Sequence, residues 1–158
     1  MTGFDKQEAK LPTYWTTPFN EICLGMKQNN DLRFISISYK ASSLHDIIAD
    51  GKYRTTSIGR SKWLSLAANA DIQRYCNLEG FNVNPLKCRG CSKVRIGILG
   101  NNENDCGTPD SYIGFGGLAS FNRIYCQMPK IPNTSGNSAY CRLGGNIEIH
   151  TMGYVLVR

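Results

Sequence analysis

The sequence predicts an α+β domain that is mainly an antiparallel sheet, with two short helices in its first half and long disulfide-tied loops in its second half. Three observations lead to this prediction: short segments with alternating apolar residues, two early segments with apolar residues at helical spacing, and a second half rich in Gly, Asn and Ser. A chain of 158 residues suits one compact domain. We therefore expect a lead-in segment over residues 1–19 and a single secreted domain over residues 20–158.

The first two strands form a predicted hairpin. The first strand covers residues 21–27, "EICLGMK", and the sequence "NND" supplies the turn. The following segment, "LRFISISYK", places Ile35, Ile37 and Tyr39 on one face, with Leu32 out of phase. This alternation predicts a strand with one buried face.

Two helices follow the hairpin. In "SSLHDIIADGKY", either Ser42 or Ser43 is the predicted N-cap and Gly51 is the predicted end. The second helix is "GRSKWLSLAANADIQRYCN", which Ser57 or Ser61 caps. One face of this helix is approximated by Trp63, Leu66, Ala67, Ala70 and Tyr75.

The second half of the chain is predicted to hold fewer regular elements. The segment "LEGFNVNPLKCRGC" is irregular, "KVRIGILG" is a strand, and "SYIGFG" is a brief strand. Residues 118–146 are predicted to form long loops held by Cys126 and Cys141. The closing segment "NIEIHTMGYVLVR" is expected to lie in the middle of the sheet.

The chain has seven cysteines, which predict a disulfide framework in an oxidising compartment. An odd count leaves at least one thiol without a partner in the same chain. We therefore expect an extracellular, secreted protein, although the segment after Met1 lacks the apolar centre of a signal peptide. The disulfide candidates are Cys23, Cys76, Cys88, Cys91, Cys106, Cys126 and Cys141.

The net charge of +6 is scattered along the chain rather than gathered in a basic run. This distribution argues against a nucleic-acid arm and leaves an anionic glycan, lipid headgroup or mineral surface as partner. No apolar stretch approaches the length that spans a membrane.

Residues 100–117, "GNNENDCGTPDSYIGFGG", are the candidate binding site. The oxygen donors Asn101, Glu103, Asp105 and Asp110 suit Ca²⁺, but their spacing differs from that of an EF-hand. The same residue types also stabilise turns, so a calcium site and a set of turns both stay open. The predicted ligand-binding set is Asn101, Asn102, Asn104, Asp105, Asp110, Tyr112 and Phe115, the last two as stacking partners for a sugar.

The remaining motifs do not predict catalysis. Cys88 and Cys91 form a CxxC that precedes a strand, which favours a loop disulfide, between the two or each with a different partner, over zinc or redox chemistry. His45 and His150 fall on a helix and a strand, and no nucleophile motif accompanies them. An enzyme, such as a secreted hydrolase, would need two carboxylates or a His–Cys pair in one cleft.

Several phrases together resemble a domain of extracellular, often multidomain, proteins of cnidarians, sponges and other marine invertebrates. The phrases are "EICLGMK", "ASSLHDIIADGKYRTTSIGRSKW", "CNLEGFNV", "RIGILGNNENDCGTPDSYIGFGG" and "HTMGYVLVR". The resemblance covers about residues 20–158 and implies a secreted, disulfide-bonded domain with no established reaction, in which Cys88 and Cys91 are additions. By analogy it is loosely similar to fibrinogen-like lectin domains, in which a polar loop holds calcium near the ligand.

Two functions are therefore expected. The first is a non-enzymatic, lectin-like recognition domain that binds glycans, with or without Ca²⁺, through residues 100–117. The second is a structural matrix or filament protein that assembles with itself and contacts anionic polysaccharide or mineral, silica or carbonate, in a skeleton.

Overall fold

A computed structural model describes residues 9–85, 88, 90–121, 128–140 and 144–158; for residues 120, 121 and 128–131 the description is confined to the backbone. Three short helices and nine strands are found in this part of the chain. The helices are α1 (Thr13–Thr16), α2 (Leu44–Ile48) and α3 (Arg60–Leu64). The strands are β1 (Phe19–Gln28), β2 (Asp31–Ala41), β3 (Arg54–Thr55), β4 (Tyr75–Val83), β5 (Val94–Asn101), β6 (Ser111–Phe121), β7 (Met128–Ala139), β8 (Ile147–His150) and β9 (Met152–Val157).

The strands form two antiparallel sheets. The small sheet has the order β2-β1-β9, and the large sheet has the order β3-β4-β5-β6-β7-β8. Every strand pair within these sheets is antiparallel. The prediction of a mainly antiparallel α+β domain is therefore confirmed, with three short helices instead of two.

The predicted hairpin is present and builds most of the small sheet. Strands β1 and β2 pair from Gln28 opposite Asp31 to Phe19 opposite Ala41. Asn29 adopts a φ of 55°, a conformation that Asn tolerates better than most residues, so the tight turn suits its sequence. Ile35 and Ile37 face inwards and are buried, as their alternation predicts.

The main core lies between the small sheet, the helices and one face of the large sheet. It includes Leu24 and Ile37 from the small sheet, Trp63 from α3, and Ile98 and Ile113 from the large sheet. The sheets meet closely at Gly153, where an added Cβ would lie 2.7 Å from the Cβ of Ser135. A side chain at this position would therefore push the two sheets apart.

A second apolar cluster lies on the opposite face of the large sheet. Leu99 and Tyr112 alternate with the core residues Ile98 and Ile113, so they point the other way. Their partners in this cluster are Val83, Val94, Ala119 and Tyr140. The central strands of the large sheet are thus covered on both faces.

The first predicted helix is correct in place but shorter than expected. Ser43 is its N-cap, since its hydroxyl accepts a hydrogen bond from the Asp46 amide at 3.1 Å. Gly51 follows with a φ of 69°, and its amide donates to the Ile48 carbonyl. One turn of helix therefore replaces the longer helix that the apolar stripe suggests.

The second predicted helix is wrong beyond its first turn. Helix α3 ends at Leu64, and Tyr75, expected on its apolar face, begins strand β4 and is 39% exposed. From Glu79 to Val83, β4 is buried on both faces, so its apolar residues do not alternate. Where the predicted helix overlaps β4, the pairing of Tyr75 with Asn101 and of Cys76 with Gly100 outweighs the local helical pattern.

The prediction of long loops over residues 118–146 is wrong for most of the described part. Strand β6 runs to Phe121, and β7 spans Met128–Ala139. These strands contain small residues because neighbouring backbones approach closely; an added Cβ on Gly114 would lie 2.2 Å from the Ile96 carbonyl oxygen. Cys126 and Cys141, the predicted ties, lie outside the described residues.

The expected central position of the C-terminal strand is also wrong. The segment divides into β8, an edge strand of the large sheet, and β9, an edge strand of the small sheet. The Thr151 amide, between the two strands, donates to the Ser135 carbonyl. The chain thereby passes from one sheet to the other, and each strand keeps a free edge among the described residues.

Candidate functional site

The loop between β5 and β6 holds most of the residues predicted to bind a ligand. Asn101 is fully buried, and its side chain is committed to the loop itself: the amide donates to the Asp105 carbonyl at 3.1 Å, and the oxygen accepts from the Asn102 amide at 2.9 Å. Asp105 accepts from the Gly107 amide at 2.6 Å. These hydrogen bonds close turns, which is one of the two roles that the sequence left open for these residues.

The predicted metal ligands in this loop do not gather around one point. Among the residues that the structure describes, no group of three His, Cys, Asp or Glu side chains is placed to hold a metal ion. Asn102, Glu103 and Asn104 are exposed. Asp110 is half-buried, and its amide donates to the Gly100 carbonyl.

The two aromatic residues predicted to stack on a sugar are core residues. Tyr112 is fully buried and Phe115 is 6% exposed. They alternate along β6, so Phe115 packs in the main core and Tyr112 in the second cluster. Neither ring offers a face to a ligand in solution, and the loop loses the stacking partners that the sequence suggested.

Disulfides fix two of the irregular segments. Cys76 on β4 is bonded to Cys106 in the β5–β6 loop, and Cys88 is bonded to Cys91. The CxxC therefore closes on itself, one of the two pairings left open by its sequence. Among the described residues, Cys23 is the cysteine outside any disulfide.

A chain of polar side chains runs from the second cluster to the surface. The Tyr140 hydroxyl donates to Glu148 at 2.9 Å, and the other oxygen of Glu148 lies 2.8 Å from His150 Nε2. Tyr112 and Ser138 lie beneath; their buried hydroxyls make no well-aligned hydrogen bond among the described residues, although the Tyr112 hydroxyl lies near the Ser138 and Asn133 side chains. Burial raises the pKa of Tyr112 to about 12, and burial together with Glu148 raises the pKa of Tyr140 to about 12.

The outer face of the small sheet exposes several apolar side chains. Cross-strand pairing places Leu32, Lys27 and Met152 in one row, then Phe34, Gly25 and Tyr154, then Ser36, Cys23 and Leu156. These residues alternate with the buried Leu24 and Ile35, so their side chains point away from the core. We call the surface of Leu32, Phe34, Met152, Tyr154, Leu156 and Cys23 the outer apolar face.

The aromatic residues of this face are held in place. The Phe34 ring lies over Gly25, where an added Cβ would come within 2.3 Å of the ring. On the other side of Gly25, the Tyr154 ring lies 6.4 Å from the Phe34 ring. The glycine thus lets two aromatic rings from the outer strands meet above the central strand.

Much of the outer apolar face is accessible. Leu32 is 45% exposed, Phe34 47% and Leu156 53%. Single exposed apolar residues are common, but several on adjacent strands form a continuous patch of the kind that marks an interaction surface. Sequence reasoning missed this face because it followed the buried positions of the hairpin. The signal was present in Leu32 and Phe34, which occupy the positions of β2 that should be polar.

Charged residues bound the two ends of this face. Lys27 lies at the hairpin end of β1, and Glu21 lies at the opposite end on the same side of the strand. Glu21 accepts from Arg158 at 2.8 Å, and hydrogen bonds from Ser36 and Arg158 lower its pKa. The face therefore carries a positive charge at one end and an ion pair that includes a carboxylate at the other.

Comparison of the chain with protein-family models, curated proteins and solved structures finds no match. None of the helices in the described part of the chain is long and apolar enough to cross a bilayer. The two disulfides are compatible with an oxidising, extracellular setting.

Proposed function

We propose that this protein is a non-enzymatic extracellular assembly domain that binds a second copy of itself through the outer apolar face. The observation that carries the proposal is the patch of apolar side chains that β2 and β9 project from the outer face of the small sheet, on either side of Gly25 and Cys23 of β1. Covering such a surface releases water from apolar area and favours association. This function corresponds to the structural-matrix alternative rather than to glycan binding by residues 100–117.

The charges at the ends of the face favour a second copy as its occupant. Two copies that stack face to face with antiparallel β1 strands place Lys27 of each opposite the Glu21–Arg158 ion pair of the other. If the two copies were instead related by a two-fold axis parallel to the strands, Lys27 would face Lys27 and Glu21 would face Glu21. The face is thus self-complementary in one orientation, as a two-fold interface requires.

The size of the face predicts reversible association. Three strands and about six residues of each give a surface of roughly 20 by 15 Å, or about 300 Å² per partner before the rim is counted. Stable interfaces bury about 800 Å² on each side. We therefore expect a weak dimer whose population rises with protein concentration. In a filament, repeated copies of this contact or further contacts would strengthen the association.

Sedimentation equilibrium of the wild-type chain and two variants tests this proposal. Phe34→Ser removes the central ring of the outer apolar face, whereas Tyr75→Ser removes an exposed ring on the large sheet. We expect the wild type and Tyr75→Ser to dimerise to the same extent and Phe34→Ser to dimerise at least tenfold more weakly. A wild-type chain that stays monomeric from micromolar to millimolar concentration, or equal dimerisation of all three proteins, would rule the proposal out.

A further inference from the structure

Helix α1, which precedes β1, presents an exposed tryptophan on a fixed support. Trp15 is 49% exposed, whereas its neighbour Tyr14 packs against the main core. The two rings meet edge to face, with centroids 5.0 Å apart and an interplanar angle of 85°. The half-buried tyrosine therefore holds the indole at the surface.

Helix α2 supplies a second ring to the same support. The His45 ring lies 6.0 Å from the Tyr14 ring, again edge to face at 85°. Lys10 places its ammonium 5.7 Å from the centre of the Tyr14 ring. Tyr14 thus joins an exposed indole, an imidazole and a cation in one cluster.

Hydrogen-bonding groups lie beside this cluster. The side chains of His45 and Asp46 are 46% and 53% exposed, and the imidazole Nδ1 lies 3.8 Å from the Asp46 carboxylate. Ser42 donates its hydroxyl to the same carboxylate. An imidazole, a carboxylate and a hydroxyl at the start of α2, linked through His45 to the tyrosine that also contacts the exposed indole, provide both donors and acceptors at the surface.

We propose that Trp15, Tyr14, His45 and Asp46 form a saccharide-binding site. The indole would stack on the C–H face of a pyranose ring, and the carboxylate and imidazole would bond to its hydroxyl groups. The mixture of one flat apolar surface with charged hydrogen-bonding groups fits a sugar better than an apolar peptide, which would leave those polar groups unpaired. The site differs from the outer apolar face and does not depend on the proposed self-association.

Binding to polysaccharides, followed by pull-down and by tryptophan fluorescence, tests this site. The chain has two tryptophans, and Trp63 is fully buried, so a change in emission on adding sugar reports on Trp15. The probes are cellulose and chitin as neutral polymers and alginate and chondroitin sulfate as acidic ones. Binding that persists in high salt identifies stacking on the indole as the dominant contact. If only the acidic polymers bind and salt abolishes their binding, the cations of the protein are the dominant contact.

We expect Trp15→Ala to weaken binding at least tenfold and to abolish the fluorescence response. Helix α1 contains no buried residue, so this variant should fold, and an unchanged melting temperature would verify it. Tyr75→Ala is the matched control at an exposed ring elsewhere, and Phe34→Ser should bind sugar as the wild type does. Binding by Trp15→Ala equal to that of the wild type, or no binding of any of the four polymers, would overturn the proposal.

Discussion

Two buried tyrosines, Tyr112 on β6 and Tyr140 just after β7, show how the contribution of a hydroxyl group to stability depends on its hydrogen-bond partner. Tyr140 donates to the carboxylate of Glu148, whereas the buried Tyr112 hydroxyl has only weak contacts with the Ser138 and Asn133 side chains among the described residues. A hydrogen bond to a charged group stabilises a fold by about 1.5–3 kcal/mol, and an unsatisfied buried hydroxyl contributes nothing favourable.

We therefore expect Tyr140→Phe to lower the free energy of unfolding by about 1.5 kcal/mol or more, because Glu148 loses a donor. Tyr112→Phe should change it by less than about 0.5 kcal/mol or raise it slightly. Urea denaturation of the two variants measures both values. Equal losses would show that Tyr112 also has a bonded partner.

The same two residues predict alkaline sensitivity. Their pKa values of about 12 in the folded chain lie above the ordinary tyrosine value of 10.0, since burial disfavours the phenolate. A raised pKa of an acid means that the unfolded chain releases the proton first. The stability due to these groups is complete below pH 10 and is lost as the pH rises towards 12.

We expect a titration of tyrosinate absorbance to show two hydroxyls that ionise only as the chain unfolds. The Tyr112→Phe variant should lose one of them and unfold at a higher pH. Ionisation of every tyrosine near pH 10 in a chain that stays folded would contradict this account.

At the level of elements, strands with a local apolar alternation were predictable and strands without it were not. The hairpin, the Ser43 cap and β5 follow from alternation and capping. Strand β4 lacks alternation from Glu79 to Val83, and β7 is rich in small polar residues that its neighbours require. In both cases pairing with strands distant in sequence determines the structure, and the local sequence carries no signal of that pairing.

The candidate sites were likewise predictable only in part. The polar residues after β5 were visible in the sequence, but whether their side chains face a ligand or close a turn depends on backbone geometry, and Asn101 and Asp105 close turns. The outer apolar face was partly readable from Leu32 and Phe34. Its other half comes from β9, and only the register of the small sheet brings Tyr154 beside Phe34.

The disulfide between Cys76 and Cys106 joins strand β4 to the β5–β6 loop across 30 residues of sequence. Closing a loop of this length is expected to stabilise a fold by about 3 kcal/mol, chiefly by restricting the unfolded chain. The double variant Cys76→Ser, Cys106→Ser should lose about this amount in urea denaturation. The double variant Cys88→Ser, Cys91→Ser is the control, because its disulfide closes a short loop and its removal should cost less stability. A larger loss of stability in this control than in the Cys76, Cys106 variant would contradict the prediction.

At the scale of the whole molecule, the two sheets share one core, and this arrangement leaves the small sheet with an uncovered face. Its inner residues pack on the large sheet and the helices, while its outer residues are apolar where a solvent-facing sheet is usually polar. An assembly domain gives this departure a physical reason. The saccharide site proposed on α1 and α2 would let the same assembly attach to a polysaccharide matrix.

Cys23 provides the most direct measurement of whether a second copy covers the outer apolar face. Its thiol is half-buried at the centre of that face, so its reactivity with maleimide, followed by peptide mass spectrometry, reports on coverage. The account predicts that the labelling rate of Cys23 falls as the protein concentration rises, and that this dependence disappears in Phe34→Ser. A Cys23 labelling rate that is the same at every concentration in the wild-type chain would contradict it.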